Sequence, residues 1–165
     1  MNWEALGAIG EIAGAIGVII SLVYLAVQIR GDASAKRAAV VHEQSEAYRS
    51  FLQMISANGE LGGLYLKGLR DFESLDDTEH VRFSSHLGFL FRVFEENFFQ
   101  WKEGNLDPDH WHGYEAPLTD TAAYPGVRAW WKTRAHWYSA PFGEFVEAKM
   151  DESGRPALYR EPGAD

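Results

Sequence analysis

Cysteine is missing from all 165 residues of this sequence. That absence removes disulfides, iron–sulfur clusters, thiolate zinc sites and cysteine nucleophiles. Cations are scarce as well: 15 Lys and Arg stand against 24 Asp and Glu, a net charge of -9. Phosphate backbones are bound by basic faces, so nucleic acid is not expected as a partner. The sequence also lacks strand-like alternation of useful length and any internal repeat. It has no phosphate-cradling glycine loop and no G-x-S-x-G nucleophile turn. No glutamate is followed three residues later by histidine, the pairing a helical di-iron centre typically uses. These absences point to a chain with no cofactor, no metal and no enzymatic activity.

What is abundant is apolar and aromatic material. At 46% apolar and 14% aromatic, the composition is too rich for a disordered chain. The length suits one domain of ordinary size, or a smaller one with an attachment. The apolar residues are concentrated at the start. Leu6 to Ile29 reads LGAIGEIAGAIGVIISLVYLAVQI, and from Ile12 to Ile29 there is no charge. Crossing a ~30 Å hydrocarbon core takes about 20 mainly apolar helical residues. The alternatives are a buried soluble helix and a cleaved signal peptide. The latter needs a basic start and a small-residue cleavage site, whereas this segment opens Asn2-Trp3-Glu4 and no such site follows. A retained transmembrane helix is therefore expected. Arg30, Lys36 and Arg37 follow the run, with only Glu4 before it. Cations stay on the cytoplasmic side. The expectation is a single-pass membrane protein, N-terminus outside and the rest cytoplasmic.

Along that helix Gly7, Gly10, Gly14, Gly17, Ser21, Tyr24 and Gln28 recur at spacings of three and four. This is the repeat of a left-handed packing seam. Nearly every member is small or polar, while Ile9, Ile12, Ile16, Ile20, Val23 and Val27 fall opposite. In lipid, small residues let helices approach and polar ones bond across the contact. The seam predicts a homo-oligomer, with docking to another membrane protein as the alternative. The bland reading is that glycines are simply common in membrane helices. Glu11 flanks the seam about a turn inside the boundary. It could make a protonated interhelical bond, line a pore or hold a proton or ion; it could equally snorkel to the interface. In a ring-like oligomer the Glu11 side chains would approach one another and line a narrow passage.

The remainder reads as helices, giving an all-α chain: one N-terminal transmembrane helix, then a four- to five-helix bundle. Its divisions are 1–30 for the tip and span, 31–150 for a cytoplasmic domain and 151–165 for a flexible tail rich in Gly and Pro. Ala33 to Ala57 is periodic, able to continue the membrane helix through Gly31-Asp32, and stops at Asn58-Gly59. Glu60 to Phe72 is a weaker helix because of Gly62-Gly63. Asp76 and Glu79 form a capping box for a helix that Gly104 ends, and Asp107-Pro108 starts another. Tyr124-Pro125-Gly126 reads as a break, Val127 to Tyr138 as a short helix, and Ser139-Ala140-Pro141 as the cap of a last one.

Three clusters could carry chemistry, each with a plainer reading. His110-Trp111-His112 could ligate a metal on an irregular turn, but on a helix residues two apart point away from each other. A polar helix start with Trp111 inward is the simpler account. Glu95-Glu96 could do acid–base work if burial raised one of them. Arg92 four residues before Glu96 predicts an ordinary ion pair instead. Arg128, Lys132, Arg134 and His136 interleave with Trp130, Trp131 and Trp137. That pattern suits nucleic-acid stacking or anionic lipid, against tryptophans in the core and cations in water. An aromatic-lined pocket serving a small-molecule sensor or enzyme is a further class.

Several stretches also carry a resemblance. WEALGAIGEIAG at Trp3 to Gly14, YLAVQIR at Tyr24 to Arg30, FRVFEENFFQ at Phe91 to Gln100, GNLD at Gly104 to Asp107 and YPGVRAWW at Tyr124 to Trp131 resemble a widespread bacterial family. Its members are small proteins with one N-terminal transmembrane helix and a helical cytoplasmic domain. Gly31-Asp32 departs from the Gln-Asn expected after the arginine. The resemblance implies a membrane helix and a helical body in a bacterial inner membrane, and it transfers no activity. Lipid and copies of itself are the partners expected from the apolar run and its seam.

Overall fold

The computed structural model describes residues 3–154, without the side chains of 3–10, 12–13, 30 and 32–37. Every element among them is helical. Six α-helices follow in order: α1 Trp3–Ala57, α2 Gly59–Arg70, α3 Asp77–Lys102, α4 Pro108–Ala122, α5 Pro125–Arg134 and α6 Ala140–Glu152. A 3₁₀ turn, Ala135–Trp137, joins the last two. The chain divides into two compact units between Val40 and Val41. α1 runs unbroken through Gly31 and Asp32. Of the tail read from the sequence, Asp151 and Glu152 complete α6, and residues 155–165 lie outside the described ones.

The second unit is built on α3. Asp76 accepts from the Glu79 backbone N–H at 2.8 Å, and the Glu79 carboxylate accepts from the Asp76 N–H at 3.0 Å. Two of the free donors at the helix start are thereby satisfied. Phe83, Leu87, Phe91, Phe94 and Phe98 then recur at helical spacing and are buried. Fully burying one such side chain contributes about 1.5–3 kcal/mol. Gly104, with φ of 74°, takes the left-handed turn that ends the helix, a conformation glycine adopts without cost.

Other helices close around it. The end of α1 lays Phe51 against Tyr65 and Tyr48 against Phe94. α2 is capped by Asn58, whose side chain accepts from the Leu61 N–H. α4 starts on Asp107, which accepts from the Asp109 N–H, and sends Trp111 inward to stack on Trp101 at 5.3 Å. α5 and α6 bury Trp130, Trp131, Phe142 and Val146, with Trp130 and Trp131 against Phe91 and Phe142 against Phe98.

Two sequence expectations are revised here. The break at Tyr124-Pro125-Gly126 is the start of α5: Tyr124 is its N-cap and Pro125 its first residue, where a missing N–H costs nothing. Gly126 is needed because a β-carbon there would stand 1.8 Å from the Gly68 carbonyl oxygen. The helix read as Val127 to Tyr138 is α5 followed by the separate 3₁₀ turn.

Candidate functional site

The first candidate is the seam of α1. Its described members, Gly14, Gly17, Ser21, Tyr24 and Gln28, are all exposed, as is Glu11. The surroundings of Gly7 and Gly10 lie outside the described residues. A β-carbon at Gly14 or Gly17 would meet nothing within 4 Å, so that strip of helix is open to a neighbour. Ser21 donates its hydroxyl to the Gly17 carbonyl at 2.9 Å, within its own helix. Its proton is therefore already placed, and only its lone pairs are left for a second helix. From Ile16 to Ile29 every large apolar side chain is at least half exposed. Among the described residues, no helix is long and apolar enough to cross a membrane.

The paired acids separate. Glu95 is buried and Glu96 is exposed. Arg92 pairs with Glu95, three residues on, and not with Glu96 as the spacing of four predicted. The reason lies outside the helix. Glu95 faces the junction of the 3₁₀ turn and α6, where its second oxygen accepts the Ser139 backbone N–H at 2.8 Å. Arg92 also donates to the Trp137 carbonyl at 3.1 Å and lies 4.9 Å over the Tyr138 ring. The two side chains tie α3 to that junction, so this acid is a structural clamp.

The basic–aromatic segment separates too. Trp130 and Trp131 are in the core, and Trp137 is 47% exposed. Arg128 is occupied by the end of α6, donating to the Met150 carbonyl and the Ser153 hydroxyl. Two of three indoles are thus withdrawn from any stacking surface. His110 and His112 are exposed on α4 on either side of buried Trp111. Among the described residues no three His, Asp or Glu side chains are grouped to hold a metal ion.

An aromatic-lined pocket is expected from the sequence only as a class, with no residues assigned to it. A groove of about 760 Å³ runs between α3 and the α5–3₁₀ junction. Val81, Ser85, Gly88, Phe89 and Arg92 line one side, with Phe72 and His80 at one end and Arg134, Trp137 and Tyr138 opposite. The volume lies in the range of small-molecule sites. Arg134 lies 4.9 Å over the Trp137 ring. Tyr138 donates to the Gly88 carbonyl at 3.3 Å, and burial pushes its phenol well above the usual range. The His80 ring packs edge-on to Phe72 at 4.6 Å. Val81, Ser85, Phe89 and Arg92 recur at helical spacing along α3 and are all exposed, a stripe separate from the helix's buried face.

No protein-family model matches the chain, and neither does any curated protein or solved structure.

Proposed function

We propose that the chain is a non-enzymatic, single-pass protein of a bacterial inner membrane that assembles with copies of itself through the glycine-rich face of α1. One observation carries the reading: the apolar side chains of residues 16–29 are exposed all around the helix. A helix that is apolar on every side belongs in lipid or in a large protein core. Left in water, such a surface promotes aggregation. The seam supports self-association, because Gly14 and Gly17 leave room for a second backbone. The cations after Ile29 support a cytoplasmic body.

Three measurements on the full chain test it. Alkaline carbonate should leave the protein in the membrane pellet; release into the supernatant overturns the span. Native mass spectrometry after extraction should show a discrete oligomer; a clean monomer overturns self-association. Replacing Gly14 and Gly17 together by Leu should drive the oligomer toward monomer, whereas Ile20→Leu on the opposite face should not. Because cysteine is absent, a single Cys placed at Asn2 offers one thiol, and an impermeant reagent should label it from outside.

A further inference from the structure

The groove beside α3 is independent of the assembly reading, and its chemistry is one-sided. Val81, Phe89 and Trp137 are 68%, 42% and 47% exposed and form an apolar shelf along the groove. The charged and titratable groups that face it are His80, Arg92, Arg134 and Tyr138, and no carboxylate is among its lining residues. The Arg92 charge is taken up by buried Glu95 beneath it. Tyr138 adds no negative charge, since burial holds its proton on. Arg134 is different. It meets no carboxylate among the described residues, its Nη1 donates to the Thr133 carbonyl at 3.2 Å, its Nε is buried without a hydrogen-bond partner, and its guanidinium lies 4.9 Å over the Trp137 ring. A guanidinium over an aromatic face is held in place, and its five N–H donors exceed the single hydrogen bond to Thr133. The chain as a whole carries a net charge of -9, yet this groove is lined by no carboxylate and by one arginine without a carboxylate partner.

We propose that this groove binds a small amphiphile with one carboxylate head and a flat apolar body. The head pairs with Arg134, since planar carboxylates match the guanidinium fork. The body lies along Trp137, Phe89 and Val81. Gly88 keeps the floor low: a β-carbon there would come within 3.6 Å of the Trp137 ring. No bond is made or broken; this is a binding site.

The test uses 2-naphthoate, titrated calorimetrically into the full chain in phosphatidylcholine nanodiscs, with empty nanodiscs as the blank. Two probes of the same shape accompany it: neutral 2-naphthylmethanol and cationic 2-naphthylmethylamine. Naphthoate should bind saturably, one per chain, and about tenfold or more tighter than either companion. Arg134→Gln should erase that preference, and Gly88→Leu should remove binding of the acid and the alcohol alike. Lys132→Gln, which removes an exposed cation outside the groove, should change nothing. Helical circular dichroism and melting of each variant verify the fold. No saturable naphthoate binding, equal affinity for all three probes, or unchanged affinity in both folded groove variants would each overturn the proposal.

Discussion

Gly126 at the start of α5 lies directly on the carbonyl oxygen of Gly68 in α2. A β-carbon at 126 would stand 1.8 Å from that oxygen and 2.8 Å from the Leu69 carbonyl oxygen. Both obstacles are backbone, so no side-chain rotation can relieve them. Gly68 is confined in turn, because a β-carbon there would run into the Phe83 ring at 2.4 Å. Gly126→Ala must therefore push α5 away from α2 and open the packing around Val127 and Trp130. The expected loss is about 3 kcal/mol or more, the upper part of the overpacking range. Gly63→Ala in α2, where a β-carbon meets nothing, should be neutral or slightly stabilising through helix propensity. Urea unfolding of the two variants decides; similar midpoints would refute the close approach.

Glu95 and Glu96 should behave very differently. Glu95 holds the Arg92 guanidinium and the Ser139 N–H from a buried position, whereas Glu96 is exposed. Glu95→Gln keeps the shape but weakens two charge-assisted bonds, for an expected loss of about 1–3 kcal/mol. Glu96→Gln should stay within about 0.5 kcal/mol of the parent. The same unfolding assay checks both, and a costly Glu96→Gln beside a silent Glu95→Gln would reverse the assignment.

Asn97 is fully buried in the middle of α3, where it donates to the Val93 carbonyl at 2.8 Å and to the Gln44 side-chain oxygen at 3.2 Å. Gln44 is buried too, so the pair fastens the end region of α1 to α3. Asn97→Leu strips Gln44 of that donor and leaves a buried polar group, at a cost of about 1–3 kcal/mol. Replacing Gln44 by Met in the same chain removes the stranded group. The double variant should thus be less destabilised than the sum of the singles, by an interaction of about 0.5–3 kcal/mol. Strict additivity in a double-mutant cycle would mean that the two amides do not depend on each other.

The parts of this molecule legible in its sequence are the ones written locally. Asp76 and Glu79 mark the start of α3, and Asp107-Pro108 the start of α4, because a cap needs only residues within one turn. Trp111 reads as buried because its neighbours on α4 are polar. The Arg92–Glu95 pair was not legible: spacings of three and four are both compatible with a helix, and the choice is made by Ser139, far along the chain. Gly126 reads as a break for a similar reason, since Gly68 is invisible from its vicinity. The groove is the extreme case. Its walls join residues 72–92 to 133–138, and what sets Arg134 apart, its place over Trp137 and its buried Nε, arises only in the fold. The seam of α1 is fully legible as a pattern, yet its meaning depends on a second helix.

Acid should loosen the α2–α3 contact before the core. Lys67 of α2 pairs with Glu79 of α3, and that hydrogen bond, with the Asp76 N–H, holds the Glu79 carboxyl below its ordinary value. A carboxyl depressed in the folded state binds fewer protons there than in the unfolded chain. Its contribution is complete above the ordinary carboxylate range and is lost as pH falls through the depressed folded value. The pair is partly exposed, so the effect is small and weakens with salt. Glu79→Gln retains an acceptor for the Asp76 N–H but cannot titrate. Its stability should match the parent more closely at pH 3 than at pH 7, with the gap closing as the acid limb is crossed. Melting curves across that range at low and high salt measure the gap directly. A gap that widens toward low pH would show that Glu79 is not the group being protonated.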